Sequence, residues 1–199
     1  MSNSHWFHIR DYALGFIAGC GIHTVDMAQW GHGTSLTGPV EVEGTGVFPG
    51  DGLCNCAVAW DVNLKFADGI TMNFTDGEKN PLGVRWEGTD GWVFVKERHL
   101  GGTFDAWPPE LLRRKVEPDE IHLPVSNHHQ ANFLECVRSR GETVAPIDVA
   151  VRSDALCHLS DIAMRTGRRL TWDPAREVFV GDDQANRLLV RPMRSPWRL

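Results

Sequence analysis

Between residues 40 and 75 apolar and polar positions alternate with a period of two. Val40, Val42 and Val47 read as one strand, with Glu41 and Glu43 facing water. Val58, Trp60, Val62, Leu64 and Phe66 alternate with Ala57, Ala59, Asp61, Asn63 and Lys65, the strongest strand signal in the chain. Ala67-Asp68-Gly69 turns it tightly, and Ile70, Met72 and Phe74 alternate up to Asp76-Gly77. Residues 83–87 and 92–97 make another pair around Thr89-Asp90-Gly91. Consecutive hairpins predict a mostly antiparallel, open sheet of about five or six strands with one apolar face.

Elsewhere the period is 3.6. Residues 19–30 predict a helix opened by Gly19 and Gly21 and stopped by Gly31. His23, Asp26, Met27 and Trp30 fall at i, i+3, i+4 and i+7 and share a face, while Ile22 and Val25 anchor another side. Residues 99–126, with Pro108-Pro109, Pro118 and Pro124, predict irregular chain. A helix capped by Ser126 or Asn127 runs through Ser139, with Phe133 and Val137 at i, i+4 and Gly141 as its stop. A second follows Pro146, with Asp148 as N-cap, Ala155, Leu159, Ile162 and Ala163 as buried stripe, and Gly167 at C′. Residues 170–172 and 178–180 predict short strands, and Asp182 caps a last helix to Leu189. The tail from 191 is basic, proline-broken and strapped on by Trp197.

Strands followed by helices predict an α+β fold with helices on one sheet face. One domain spans 1–199: an entry segment with the His23 helix (1–39), strands (40–98), irregular chain (99–126), two helices (127–167), then short strands, helix and tail (168–199). Residues 1–18 are apolar-rich without a clear period, as in a segment cut from a longer chain.

Charge narrows the partners. Against 26 acidic residues stand 20 basic ones, a net −6 that disfavours nucleic acid. No apolar run approaches the ~20 residues of a membrane span. The first residues lack a secretory pattern, which predicts a cytoplasmic protein. Five cysteines without a Cys-x-x-Cys read as reduced thiols, and the nine histidines form no metal motif. Dinucleotide binding needs Gly-x-Gly-x-x-Gly between strand and helix, yet Gly44-Thr45-Gly46-Val47-Phe48-Pro49 has proline at the third glycine. No cofactor is expected in this chain. The second sheet face, with Ala57, Ala59, Val93 and Val95, is not uniformly polar, so a homo-oligomer through the sheet is expected.

His23 is the candidate proton acceptor, with a structural histidine capped by its own helix as the alternative. A histidine in a helix's first turn faces the positive end of the dipole, which favours the uncharged ring, and glycines beside it allow a ligand to approach. Asp26 is the second candidate. Trp30, Trp60, Trp86 and Trp92 are mostly core residues, one of which could stack on a sugar, and His158 is a packing residue.

An ordered set of motifs adds to this. Arg10-Asp11-Tyr12, Gly19-x-Gly21-x-His23-x-x-Asp26-x-Ala28-Gln29-Trp30-Gly31 and Gly88-Thr89-Asp90-Gly91-Trp92 come first. Asn132-Phe133-Leu134-Glu135-Cys136-Val137-Arg138-Ser139 and Gly167-Arg168-Arg169-Leu170-Thr171-Trp172-Asp173-Pro174 follow. Asp182-Asp183-x-Ala185-Asn186-Arg187-Leu188-Leu189 and Pro196-Trp197 complete it. Together they resemble the C-terminal domain of bacterial Gfo/Idh/MocA oxidoreductases. The resemblance implies an NAD- or NADP-binding Rossmann half in full-length members, and a sugar or cyclitol substrate oxidised or reduced at a hydroxyl. The C-terminal domain would supply the substrate wall and often the oligomer interface. The family histidine falls on His23, while the aspartate that many members have four residues earlier is Gly19 here. A separate Rossmann-domain chain is a possible partner. The alternative is a non-catalytic carbohydrate-binding or assembly module on the same fold.

Overall fold

The computed structural model describes residues 5–34, 36–96 and 102–197. After a 3-10 turn at His5–His8 come helices α1 (Phe16–Gly19) and α2 (Gly21–His32). Six strands follow: β1 (Glu41–Val47), β2 (Ala59–Lys65), β3 (Thr71–Thr75), β4 (Gly83–Gly88), β5 (Gly91–Lys96) and β6 (Phe104–Trp107). A 3-10 turn at Pro109–Arg113 leads to α3 (His129–Ser139), α4 (Ile147–Thr166), β7 (Leu170–Asp173), β8 (Val178–Phe179) and α5 (Asp183–Arg187).

Strong alternation places β2 near the middle of a five-stranded sheet of order β3-β2-β1-β7-β8. Its four strand pairings are antiparallel. Val42, Trp60, Val62, Leu64, Phe74, Leu170 and Trp172 are buried on one face, against Leu156, Leu159, Ile162 and Ala163 of α4. The other face is mostly polar, with Val47 exposed beside Ala59 at its end, while Ala57, expected on this face, is buried in the core. Lys65 pairs with Glu41 at 3.3 Å and Arg169 with Glu43 at 2.9 Å, and Asn73 Nδ2 donates to Asp61 Oδ1 at 2.8 Å.

The fold is α+β as the patterning implies, but the hairpins divide between two sheets. The polar, glycine- and proline-bearing connection after β3 carries the chain away, and β4-β5-β6 form a separate three-stranded sheet. Strand β6 lies where irregular chain was expected. It is four residues long, runs straight into Pro108-Pro109, and exposes both Phe104 and Trp107, so it lacks a length or alternation signal. Residue 97, expected to end β5, lies outside the described residues.

Helix α4 is enclosed on nearly every side from Leu156 to Met164, because α1, α2, α5 and the sheet all pack on it. It therefore shows a wider buried surface than the stripe expected, with Ala155 only half-buried. Helix α3, expected to share the cover of the sheet, buries no residue, and Phe133, Leu134 and Val137 are exposed.

Several boundaries move. Helix α2 continues through Gly31 to His32, and Gly33 takes the left-handed turn at φ 75°. Helix α3 is capped by His128, whose Nδ1 accepts from the Ala131 amide at 3.1 Å, and it ends at left-handed Arg140 rather than at Gly141. Pro146 caps α4, with Asp148 inside the first turn, and Gly167 closes it at φ 66° as expected. Asp182 caps α5, accepting from the Ala185 amide at 2.9 Å. Trp197 is 64% exposed, so its ring does not strap the tail down.

Candidate functional site

Three residues at i, i+3 and i+7 hold α2 to the core: Ile22, half-buried, Val25 at 2% exposure and Gln29 at 0%. This stripe turns the opposite side of the first turn outward, and His23 is exposed there. Its ring makes no hydrogen bond or ion pair among the described residues. A solvated imidazole at a helix start can accept a proton from a substrate hydroxyl that comes within about 3 Å.

The flanking glycines serve packing, contrary to the expected ligand approach. A Cβ on Gly19 would lie 2.3 Å from Phe7 Cζ, and one on Gly21 would lie 2.5 Å from Phe74 Cζ. Phe7 itself stacks edge-on against Phe16 and His8. Rings from the entry segment and from β3 therefore occupy the space that side chains would take.

Asp26 turns toward α4. Its Oδ1 accepts from Ser153 Oγ at 2.6 Å, and Ser153 Oγ accepts from Gln29 Nε2 at 3.0 Å. The three side chains form a polar rivet between α2 and α4, with Gln29 Oε1 unpartnered among the described residues. Gln29 and Ser153 were missed because polar residues on a buried stripe look like errors in a hydrophobic pattern. The 22/25/29 spacing is the signal that could have found Gln29.

At the far end of α2, His32 Nε2 lies 2.7 Å from Asp68 Oδ2, with its ring edge-on to Phe66. The His32 hydrogen bond, followed by the Ile70 amide, holds the Asp68 carboxyl below the usual aspartate range. Beneath the entry segment, Asp161 is 1% exposed and paired with Arg10 at 3.0 Å and Arg165 at 2.8 Å. Arg165 also lies over the Phe48 ring and donates to the Asn55 carbonyl.

Of the four tryptophans expected in the core, Trp60 is buried, Trp86 and Trp92 are half-buried, and Trp30 is 43% exposed. His158 pairs with Asp154 at 3.3 Å on the helix surface instead of packing. One cavity of about 570 Å³ is lined by Leu111, Arg114, Val116 and Ile121, and one of about 400 Å³ by His129, Phe133 and Ala145; neither includes His23. Among the described residues no group of three or more His, Cys, Asp or Glu is placed to hold a metal ion. No helix among them is long and apolar enough to cross a membrane.

The Gly44-Thr45-Gly46 stretch does not fit a dinucleotide. Gly44-Thr45-Gly46 lies inside β1, where a Cβ on Gly46 would meet the Met164 sulfur at 2.5 Å, and no helix starts at its end. The amide-lined strand-to-helix turn that seats a pyrophosphate is not formed there.

Comparison with solved structures shows where this arrangement occurs. The aldose-aldose oxidoreductase from Caulobacter crescentus, complexed with glycerol, matches at TM-score 0.61 and 19% identity, over 86% of this chain and 52% of that one. An NAD-binding protein from Listeria innocua matches at 0.57 and 15%, over 83% and 50%. The UDP-N-acetylglucosamine 3-dehydrogenase from Acidithiobacillus ferrooxidans matches at 0.51 and 17%, over 73% and 46%. At these identities the likeness is one of fold, and the chain spans about half the length of each. No curated protein matches significantly. The family model described as "Oxidoreductase family, C-terminal alpha/beta domain" matches residues 4–199. The chain therefore belongs to the Gfo/Idh/MocA oxidoreductase family as its C-terminal α/β domain.

Proposed function

We propose that this chain is the substrate-binding and oligomerisation domain of an NAD(P)-dependent oxidoreductase acting on a sugar or cyclitol hydroxyl in the cytoplasm. A Rossmann half, in the same polypeptide or a separate one, holds the nicotinamide cofactor. The observation that carries the reading is His23, exposed at the start of α2 and without a hydrogen-bond or ion-pair partner among the described residues, in a domain of this family. His23 accepts the substrate's hydroxyl proton. Asp26 is a positioning residue, since its hydrogen bond from Ser153 ties α2 to α4.

The test joins the 199-residue chain to the Rossmann half of a family member and follows nucleotide reduction with a panel of sugars and cyclitols. Turnover is expected, and His23→Asn is expected to lower it by about 10²–10⁴-fold, the usual contribution of a general base. Turnover untouched by His23→Asn would overturn the assignment. Titration of the chain alone with NAD⁺ and NADP⁺ is expected to give no binding.

One observation favours a second reading. Phe7 fills the space beside Gly19, so an aspartate there would clash. A non-catalytic carbohydrate-binding or assembly module would have no need of that acid. Sugar binding by the joined protein without turnover would select it.

A further inference from the structure

Helix α2 is held on both flanks. On one, Asp26 and Gln29 reach Ser153 of α4. On the other, Gly31 and the Ala28 carbonyl press against Trp86 of β4. Ile22 and Val25 face the core beneath. The strip left open between these contacts carries His23, Met27 and Trp30, at i, i+4 and i+7 on one face. His23 is exposed, Met27 is half-buried and Trp30 is 43% exposed. The Trp30 side chain makes no hydrogen bond, ring stacking or cation–π contact among the described residues. Trp6, Trp107 and Trp197 are exposed too, but they stand on other segments. Along the helix axis His23 and Trp30 are about 10 Å apart, at 1.5 Å of rise per residue. Both side chains lean toward the helix start, so their rings keep that spacing.

We infer that Trp30 is a second sugar subsite, so that the substrate whose hydroxyl meets His23 is a neutral glycoside of at least two linked rings. This rests on the proposed function and names its substrate class. The reacting ring sits at His23 and the next ring lies on the indole, with Met27 as an apolar floor between them. An indole face is a broad apolar surface with a polar edge, which suits the C–H face of a pyranose ringed by hydroxyls. A single pyranose with a hydroxyl at His23 does not extend to Trp30, whereas two linked rings do. A nucleotide sugar also carries a flat ring at a distance from its sugar. Its pyrophosphate, however, would cross Met27 with no cation from the helix beneath it, because α2 contains neither lysine nor arginine. Asp26, on the adjoining side, would repel it. A neutral glycoside brings no charge to be matched.

NMR titration of the isotope-labelled full chain is the test, with the Trp30 indole N–H assigned by its loss in Trp30→Ala. The ligands are glucose, a panel of neutral disaccharides that differ in linkage, and UDP-glucose. At least one disaccharide is expected to move the Trp30 indole and the His23 ring together. It is expected to saturate at a concentration at least about tenfold below that of glucose, the effect of one added aromatic contact. Trp30→Phe is expected to keep most of this preference, and Trp30→Ala is expected to bind the disaccharide no better than glucose. Circular dichroism confirms that both variants fold. An indole unmoved by every disaccharide would overturn the subsite. So would a Trp30→Ala variant that loses glucose and disaccharide alike, which would make the ring a packing residue. A response to UDP-glucose alone would overturn the neutral glycoside in favour of a nucleotide sugar. Binding is read here without turnover. A joined protein indifferent to His23→Asn, whose Trp30 indole still responds, would overturn the proton acceptor and leave the subsite standing.

Discussion

Gly31 and Trp86 are pressed together so closely that a Cβ on Gly31 would lie 2.2 Å from the indole Nε1. That nitrogen donates to the Ala28 carbonyl one turn earlier, at 3.4 Å, which holds the ring in place. The contact joins α2 to β4 and so joins the two sheets. Glycine to alanine inside a helix normally gains about 1 kcal/mol. Here the added methyl must displace an anchored indole, and overpacking costs about 1–3 kcal/mol. Gly31→Ala is expected to lower the thermal midpoint; a rise would show that the ring swings aside freely.

Asp161 neutralises two arginines from different parts of the chain while almost wholly buried. Removing one member of a buried ion pair costs about 3–5 kcal/mol. Arg10 and Arg165 keep 23% and 22% side-chain exposure, so the low end applies. Asp161→Ala is expected to lose about 3 kcal/mol in urea unfolding. A loss as small as that of a surface substitution would mean that the arginines resolvate without cost.

Asp182 predicts part of the acid response. The Ala185 amide first, and then Arg168, hold its carboxyl below the ordinary 3.8. A carboxyl with a lowered folded pKa contributes stability that is complete above its unfolded value. That contribution disappears as pH falls below 3.8 through the folded value. Asp182→Asn keeps a good N-cap but loses the charge pair with Arg168. Unfolding free energy followed against pH is expected to fall less steeply below that value in the variant. Superimposable profiles would remove Asp182 from the acid transition.

The thiols should separate by burial. Cys20 is exposed at the start of α2, whereas Cys56 and Cys157 are buried. Burial also pushes both buried thiols up, Cys157 most strongly. Thiolate is the reactive form, so these two resist alkylation. Mass spectrometry of the native protein treated with iodoacetamide is expected to find Cys20 modified first and Cys157 last. Early labelling of Cys157 would mean that α4 opens readily.

Periodicity located β2 and β3, because their alternation is what burial of one sheet face demands. Asp182 and Gly167 were legible as caps because a short acceptor and a left-handed glycine act within one turn of chain. His23's outward position followed from Ile22 and Val25 facing inward. Only the tertiary structure decided the rest. Gly19, Gly21 and Gly31 look alike in sequence, yet each is set by an aromatic ring distant along the chain: Phe7, Phe74 and Trp86. Asp26 and Gln29 acquire their roles from Ser153, more than a hundred residues away. The division into two sheets depends on which strand finds which neighbour, and β6 has too few residues to announce itself. Local patterns record which side of an element is buried, whereas partners far apart in the chain are chosen by packing, and no local period encodes that choice.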